Sequence, residues 1–197
     1  GGTKMIDTHG RKYVNSIIDK TAGMLLKLKM TANQITVVAF FIGICTGPFI
    51  YFNQNFEAIT FLWFSGFLDA VDGAMARISK TTSSWGTLMD ICFDRLVEMA
   101  IVLALALRFS DVRFELLVLV ICILMSMTIF LTVGALAKQQ GIKSFYYQAG
   151  LAERTEGFIF FSFMILFPNH LTWIINLFST AIIITIGQRI IEAKRIL

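Results

Sequence analysis

The stretch from Asp69 to Asp94, DAVDGAMARISKTTSSWGTLMDICFD, places four aspartates and an arginine in a 197-residue chain that is 56% hydrophobic. Asp72 follows Asp69 by three residues, so both fall on one face of a helix, together with two small residues and the arginine. After a polar turn, Asp90 and Asp94 recur four residues apart and share a face of a second helix. Two helices joined by a short turn run antiparallel. The stretch therefore predicts a helical hairpin whose four carboxylates lie together.

Such a cluster needs a cation, because an aspartate at the centre of a membrane helix costs about 2.5 to 3.5 kcal/mol. Oxygen-only ligands suit Mg²⁺ or Mn²⁺. Small residues at 73, 76 and 86 allow a ligand to approach the backbone closely, and Arg77 supplies a fixed positive charge for a phosphate. The combination predicts metal-assisted phosphoryl chemistry.

Two other interpretations explain the acids differently. A buried ion-pair network with Arg77 and Arg95 would leave four acids facing two bases, with excess negative charge. A divalent-cation transporter would use intramembrane aspartates as an ion path, and it predicts carboxylates on both sides of the membrane midplane. The predicted hairpin gathers them on one side, next to an arginine that would repel a passing cation.

The spacing of eight residues resembles the complete signature of the CDP-alcohol phosphotransferase (CDP-alcohol phosphatidyltransferase) family. These residues are Asp69, Asp72, Gly73, Ala76, Arg77, Gly86, Asp90 and Asp94. The resemblance implies that a CDP-linked donor binds through Mg²⁺ or Mn²⁺ on its diphosphate. It also implies that an alcohol hydroxyl attacks phosphorus and releases CMP.

The resemblance further implies a role for each signature residue. The expected metal ligands are Asp69, Asp72, Asp90 and Asp94, and Asp94 is also the expected catalytic base toward the acceptor hydroxyl. The expected CDP-binding residues are Asp69, Asp72, Gly73, Ala76, Arg77 and Gly86. The favoured donor is CDP-diacylglycerol, with a small polar alcohol as acceptor. In a related alternative the lipid is the acceptor, and a CDP-alcohol transfers its phospho-alcohol group to diacylglycerol.

The acceptor is indicated by GLAERTE, at 150–156, which is similar to a stretch of family members that use inositol phosphate. Arg154, with Arg189 and Arg95, is expected to hold the acceptor phosphate. The resemblance therefore implies a polar alcohol of the phosphorylated kind, such as inositol phosphate or glycerol phosphate, as the expected acceptor. Local pairing of Arg154 with Glu153 and Glu156 in a solvated interfacial turn is the open alternative.

The predicted fold is an all-α membrane protein with six transmembrane helices and an N-terminal amphipathic helix on the membrane surface. Residues 1–30 are expected to hold a short tag remnant and this cytoplasmic juxtamembrane helix, at 5–29, and residues 31–197 the six-span domain. An ordinary soluble amphipathic helix fits the periodicity of 5–29 equally well. The predicted spans are 34–52, 58–78, 85–108, 116–137, 157–168 and 171–186. Gly43, Gly47 and Pro48 in the first span favour close helix packing.

Charge distribution predicts the orientation. The net charge is +4, and most Lys and Arg residues fall on one side of the predicted spans, which marks that side as cytoplasmic. The site would then open to the cytoplasmic side of the inner membrane. Because the basic residues lie between spans, they indicate anionic lipid rather than nucleic acid as a partner. The family resemblance implies a homodimer, and three cysteines in apolar segments indicate no disulfide framework.

Overall fold

The computed structural model describes residues 4–139 and 154–197, and within these ranges the chain is all-α without a strand. All seven predicted helices are confirmed, although their ends shift by a few residues. The largest change is at the last helix, which continues to Ile196 rather than ending at 186. The helices are α1 (Lys4–Lys27), α2 (Ala32–Tyr51), α3 (Asn55–Ser79), α4 (Ser84–Arg108), α5 (Arg113–Gln139), α6 (Arg154–Leu166) and α7 (Leu171–Ile196), with 3-10 turns at Ser110–Val112 and Pro168–His170.

Local hydrogen bonds define the ends of the first helices. Thr31 and Gln34 form a capping box at the start of α2, in which the Thr31 N–H donates to Gln34 Oε1 at 2.9 Å and the Gln34 N–H donates to Thr31 Oγ1 at 3.3 Å. The helices α1, α2 and α3 are followed by left-handed residues, Lys29, Asn53 and Lys80, with φ of 60°, 62° and 56°. The next N–H bonds back across each turn, as in a Schellman motif. Short, defined turns therefore connect α1 to α2, α2 to α3 and α3 to α4.

The chain divides into two compact units, residues 1–101 and 102–197, with the boundary inside α4. In the first unit, the buried Ser65 hydroxyl on α3 donates to the Ala39 carbonyl of α2 at 2.8 Å. A Cβ atom at Gly43 would lie 2.6 Å from Val97 Cγ2, and one at Gly47 would lie 3.1 Å from the Ala100 carbonyl oxygen. These contacts confirm the predicted use of both glycines in close helix packing.

The second unit packs α5 and α6 with α7. Phe178 of α7 stacks on Phe160 with ring centroids 4.6 Å apart, and it meets the buried Phe161 edge-on at 5.7 Å. Farther along α7, Arg189 Nη1 donates to the Ser126 carbonyl at 3.0 Å and to the Ser126 hydroxyl oxygen at 2.9 Å. The guanidinium also lies over the Phe130 ring, 5.1 Å from its centroid.

Four of the described helical segments are long and apolar enough to cross a membrane, Ala32–Tyr51, Asn55–Ser79, Ser110–Leu136 and Pro168–Arg195. They correspond to four of the six predicted spans. The helix α4 has 25 residues but carries charged side chains along its length, and α6 has only 13 residues. Length and composition therefore support an integral membrane protein with four such helices, and the six-span count stays a prediction.

Candidate active site

Three of the four motif aspartates form a close group. Asp69 and Asp72 on α3 and Asp90 on α4 each offer one carboxylate oxygen, and these oxygens all lie within 4.8 Å of one another. Asp72 is buried, with 6% of its surface exposed, whereas Asp69 and Asp90 are half-buried. Asp94 is one turn further along α4, half-buried and outside this close group. The two acidic helix faces thus meet as predicted for three of their members.

The separation suits a divalent cation. Oxygens that ligate one ion at roughly 2.0 to 2.6 Å lie at most about 4 to 5 Å apart, and the group lies within 4.8 Å. Its donors are all carboxylate oxygens, which favours a hard ion such as Mg²⁺ or Mn²⁺ over a zinc ion. The residues present therefore fit the predicted metal.

A larger cavity of about 560 Å³ opens beside the carboxylates. It is lined by the three grouped aspartates, by Ala70, Gly73 and Arg77 of α3, and by three residues of α1. The α1 residues are Asn15, Ile18 and Asp19. Sequence reasoning missed them, although the four-residue spacing of Asn15 and Asp19 marks two polar residues on one face of a helix.

A smaller cavity of about 200 Å³ adjoins the larger one. It shares Asp72, Gly73, Arg77 and Asp90 with the larger cavity. Its remaining lining comes from the first turn of α2, the end of α3, the turn that follows and the first turn of α4. These residues are Ala32, Asn33, Thr36, Ala76, Thr81, Thr82, Ser83, Gly86 and Thr87. The sequence analysis identified Ala76 and Gly86 but missed the hydroxyl and amide groups.

The starts of two helices open on the smaller cavity. Ser83 caps α4, because its hydroxyl accepts the Gly86 N–H at 3.0 Å and its carbonyl accepts the Thr87 N–H at 3.1 Å. Residues 32, 33 and 36 bring the first turn of α2 to the same space. Helix N-termini present N–H groups and a positive dipole end, so this cavity favours an anionic group.

Two motif glycines leave little room at the cavity walls. A Cβ atom at Gly73 would lie 3.3 Å from Arg77 Nη1, and one at Gly86 would lie 3.3 Å from both Asn33 Oδ1 and Ser83 Oγ. Arg77 reaches both cavities across Gly73, since it lines each of them. A methyl group at 73 or 86 would therefore crowd a neighbouring side chain, and the expected approach of a ligand at these two glycines stays a prediction.

The three predicted acceptor residues lie in different settings. Arg95 forms a salt bridge with Glu98, one turn further along α4, at 2.6 Å. Arg189 belongs to the second unit and donates to Ser126. Arg154 begins α6, but its side chain lies outside the described part of the structure, and so do residues 150–153. Their role toward the acceptor stays a prediction.

Comparison with known proteins identifies the family. The family model described as CDP-alcohol phosphatidyltransferase matches residues 29–186. Inner membrane protein YnjF of Escherichia coli is 30% identical over 174 residues, which is 83% of each chain. Archaetidylinositol phosphate synthase of Pyrococcus horikoshii is 32% identical over 97 residues, covering 49% of this chain and 52% of that protein.

Solved structures show the same fold. The phosphatidylinositol phosphate synthase of Mycobacterium tuberculosis with CDP-DAG bound is 22% identical and superimposes with a TM-score of 0.72, covering 90% of this chain and 94% of that one. The same synthase in complex with manganese and citrate gives a TM-score of 0.72, with 90% and 88% covered. Because the family model covers most of the chain and the motif residues lie around one wall, this chain belongs to the CDP-alcohol phosphatidyltransferase family and is a membrane-embedded transferase of that class.

Proposed function

We propose that the protein transfers a phosphatidyl group from CDP-diacylglycerol to the hydroxyl of a small polar alcohol, with a divalent cation, and releases CMP. The observation that carries this proposal is the carboxylate group of Asp69, Asp72 and Asp90, within 4.8 Å, where two cavities share lining residues. Two substrates must meet at such a reaction centre. The mycobacterial synthase of the same fold has been seen with CDP-DAG and with manganese, which supports the choice of donor and ion.

The metal would be held by Asp69, Asp72 and Asp90, and Asp94 is proposed to serve a second ion. When bound, Mg²⁺ or Mn²⁺ supplies charge neutralisation for the diphosphate. The smaller cavity would hold the nucleotide, because Gly73, Ala76, Gly86 and two helix N-termini form its walls. Arg77, which lines both cavities, would steady the phosphates.

Asp94 is proposed as the base for the reaction. The acceptor oxygen forms a bond to the phosphorus that carries diacylglycerol, and the hydroxyl proton passes to Asp94. The bond from that phosphorus to the bridging oxygen breaks, and CMP leaves with this oxygen. This proposal is supported by the position of Asp94 one helical turn after Asp90 on α4 and outside the three-carboxylate group.

The acceptor is proposed to be a phosphorylated alcohol such as inositol phosphate or glycerol phosphate. Arginine suits this task because its planar guanidinium binds phosphate with two hydrogen bonds. Arg154, Arg189 and Arg95 are the candidates, and the similarity to archaetidylinositol phosphate synthase supports the inositol phosphate class. In this proposal, Ser126 and Glu98 orient Arg189 and Arg95.

The proposed setting is a six-span protein, with α4 and α6 as spans in addition to the four long apolar helices, and residues 1–30 as a cytoplasmic surface segment ahead of the six-span domain at 31–197. The site would open to the cytoplasmic side of the inner membrane, where a soluble alcohol and a lipid can both reach it. A homodimer is proposed as the working assembly. Protease accessibility in oriented vesicles and the mass of the purified complex test these three statements.

The decisive assay for function is CMP release by purified protein in lipid nanodiscs, with CDP-diacylglycerol, a panel of alcohols and either Mg²⁺ or Mn²⁺. We expect metal-dependent CMP release that chelation abolishes. No release with any alcohol would refute the proposal. Replacing the donor by CDP-choline or CDP-ethanolamine, with diacylglycerol as acceptor, tests the reversed reaction.

A divalent-cation transporter is the alternative from another class. It requires metal flux across sealed liposomes. The one-sided grouping of the acids beside Arg77 favours the transferase, because a fixed cation at this point hinders passage of a free ion.

A further inference from the structure

The helix α1 changes character along one face. Ile18, Ala22 and Leu25 pack into the core formed with α2 and α3, and Ala22 is fully buried. Asn15 and Asp19, which lie on either side of Ile18 in the sequence, share this face and line the larger cavity together with Ile18. Residues three, four and seven positions apart share one helical face. The apolar part of this face therefore fixes the position of α1, and the polar part closes one side of the cavity.

The charge on this wall is opposite to what a phosphate site needs. Asp19 adds a carboxylate to a cavity that already contains the three grouped aspartates, and it is not a member of that group. A bound divalent cation would offset two of the three negative charges of the group and would leave Asp19 without compensation. A carboxylate only accepts hydrogen bonds, and an asparagine side chain both donates and accepts. This wall suits hydroxyl groups and repels phosphate.

The other walls complement this chemistry. Arg77 lies where the two cavities meet, and the starts of α2 and α4 open on the smaller cavity. Anionic parts of the substrates are therefore drawn away from α1, whereas hydroxyl groups in the larger cavity can form hydrogen bonds with Asn15 and Asp19. Both side chains are exposed, so a ligand in the cavity can reach them.

We propose that Asn15 and Asp19 form an acceptor-selecting wall that binds the hydroxyl groups of a polyol. The proposal rests on the proposed transferase function and adds a determinant outside the signature motif. A phosphorylated polyol would enter with its hydroxyls toward α1 and its phosphate turned away from Asp19. The amphipathic helix thus contributes to the choice of alcohol as well as to membrane attachment.

The test compares variants of the full chain in nanodiscs by CMP release, with neutral polyols and their phosphorylated counterparts as acceptors. Asp19→Asn should raise the KM for polyol acceptors about tenfold, the usual scale for loss of a hydrogen bond to a charged group. The KM for CDP-diacylglycerol should stay unchanged. Asp19→Lys should shift the ratio of kcat/KM values toward the phosphorylated acceptors. This ratio does not depend on how much of the variant is folded.

Asn15→Ala gives a second, milder change on the same wall, and it should also raise the acceptor KM alone. The matched control is Asp111→Asn, which removes an exposed carboxylate on the 3-10 turn before α5 and should leave both KM values unchanged. The proposal is refuted if active Asp19 and Asn15 variants keep the wild-type acceptor KM and acceptor preference. It is also refuted if the KM values for both substrates change equally. Absence of CMP release by the wild-type protein would instead overturn the proposed function together with this inference.

Discussion

The smaller cavity is lined mainly by hydroxyl, amide and small residues and by two helix starts, whereas the larger cavity adds Asp69, Asp19 and Asn15 to the wall that they share. The shared wall consists of Asp72, Gly73, Arg77 and Asp90. The same motif residues therefore line two cavities with different polar groups, because α1 completes the larger cavity and the starts of α2 and α4 complete the smaller one. In the proposed function, the smaller cavity holds the nucleotide and the larger cavity holds the alcohol.

The largest effect is expected from a change in the shared wall. Asp72→Asn should lower kcat/KM for CMP release by about 10³-fold, equivalent to about 4 kcal/mol of transition-state stabilisation. Asp72 is the most buried member of the carboxylate group and lines both cavities, so its substitution should affect the reaction of both substrates. Steady-state assays at saturating Mg²⁺ check this. Near-normal activity would show that the wall is not the common reaction centre.

The next prediction separates turnover from binding. Asp94→Asn should lower kcat about 10²-fold or more, the usual contribution of a general base. Binding of the CDP donor should be largely retained, because Asp94 lies outside the three-carboxylate group. Single-turnover CMP release and equilibrium binding of CDP-diacylglycerol distinguish the two. Equal loss of both would identify Asp94 as mainly a ligand.

A cavity-specific effect is expected from Gly86→Ala. The new methyl group would lie 3.3 Å from Asn33 Oδ1 and Ser83 Oγ in the smaller cavity. Crowding of this kind costs about 1 to 3 kcal/mol, so the KM for the CDP donor should rise about tenfold with little change in the acceptor KM. Gly187→Ala is the control, because a Cβ atom there meets nothing within 4 Å. A rise confined to the acceptor KM would reverse the assignment of the two cavities.

The smallest effect concerns stability at the turn between the motif helices. Lys80 has φ of 56°, where a side chain costs about 1 kcal/mol relative to glycine. Lys80→Gly should therefore raise the midpoint of thermal unfolding slightly and leave both KM values unchanged. Asn53→Gly is the matched control, since asparagine tolerates φ of 62° better than lysine does. A loss of stability in Lys80→Gly would mean that the lysine side chain makes a stabilising contact.

Periodicity and motif spacing were sufficient to predict the helices and the meeting of Asp69, Asp72 and Asp90. Both follow from local geometry, since residues three and four positions apart share a helical face. The packing role of Gly43 was predictable because a small residue in a span lets another helix approach, and its contact with Val97 confirms this role. The membrane count was harder to predict, because α4 carries five charged residues, Asp90, Asp94, Arg95, Glu98 and Arg108, and so resembles a span less than α3 or α5 does.

The cavity walls outside the motif depend on tertiary packing. Asn15 and Asp19 are more than 50 residues from Asp72 in sequence, and only the packing of α1 on α3 brings them to the larger cavity. The position of Asn33 beside Gly86 likewise depends on how α2 meets α4. Sequence spacing carries no information about such contacts between helices distant in the chain.

The most direct test of the central claim is Mn²⁺ binding, followed by electron paramagnetic resonance, in the purified wild-type protein and in Asp69→Asn, Asp72→Asn and Asp90→Asn. We predict that the wild-type protein binds Mn²⁺ more tightly in the presence of CDP and that each substitution weakens this binding at least tenfold, the loss of one charged ligand. Asp111→Asn should bind Mn²⁺ like the wild type. Unchanged Mn²⁺ affinity in all three aspartate variants would contradict a metal-dependent reaction centre at this wall.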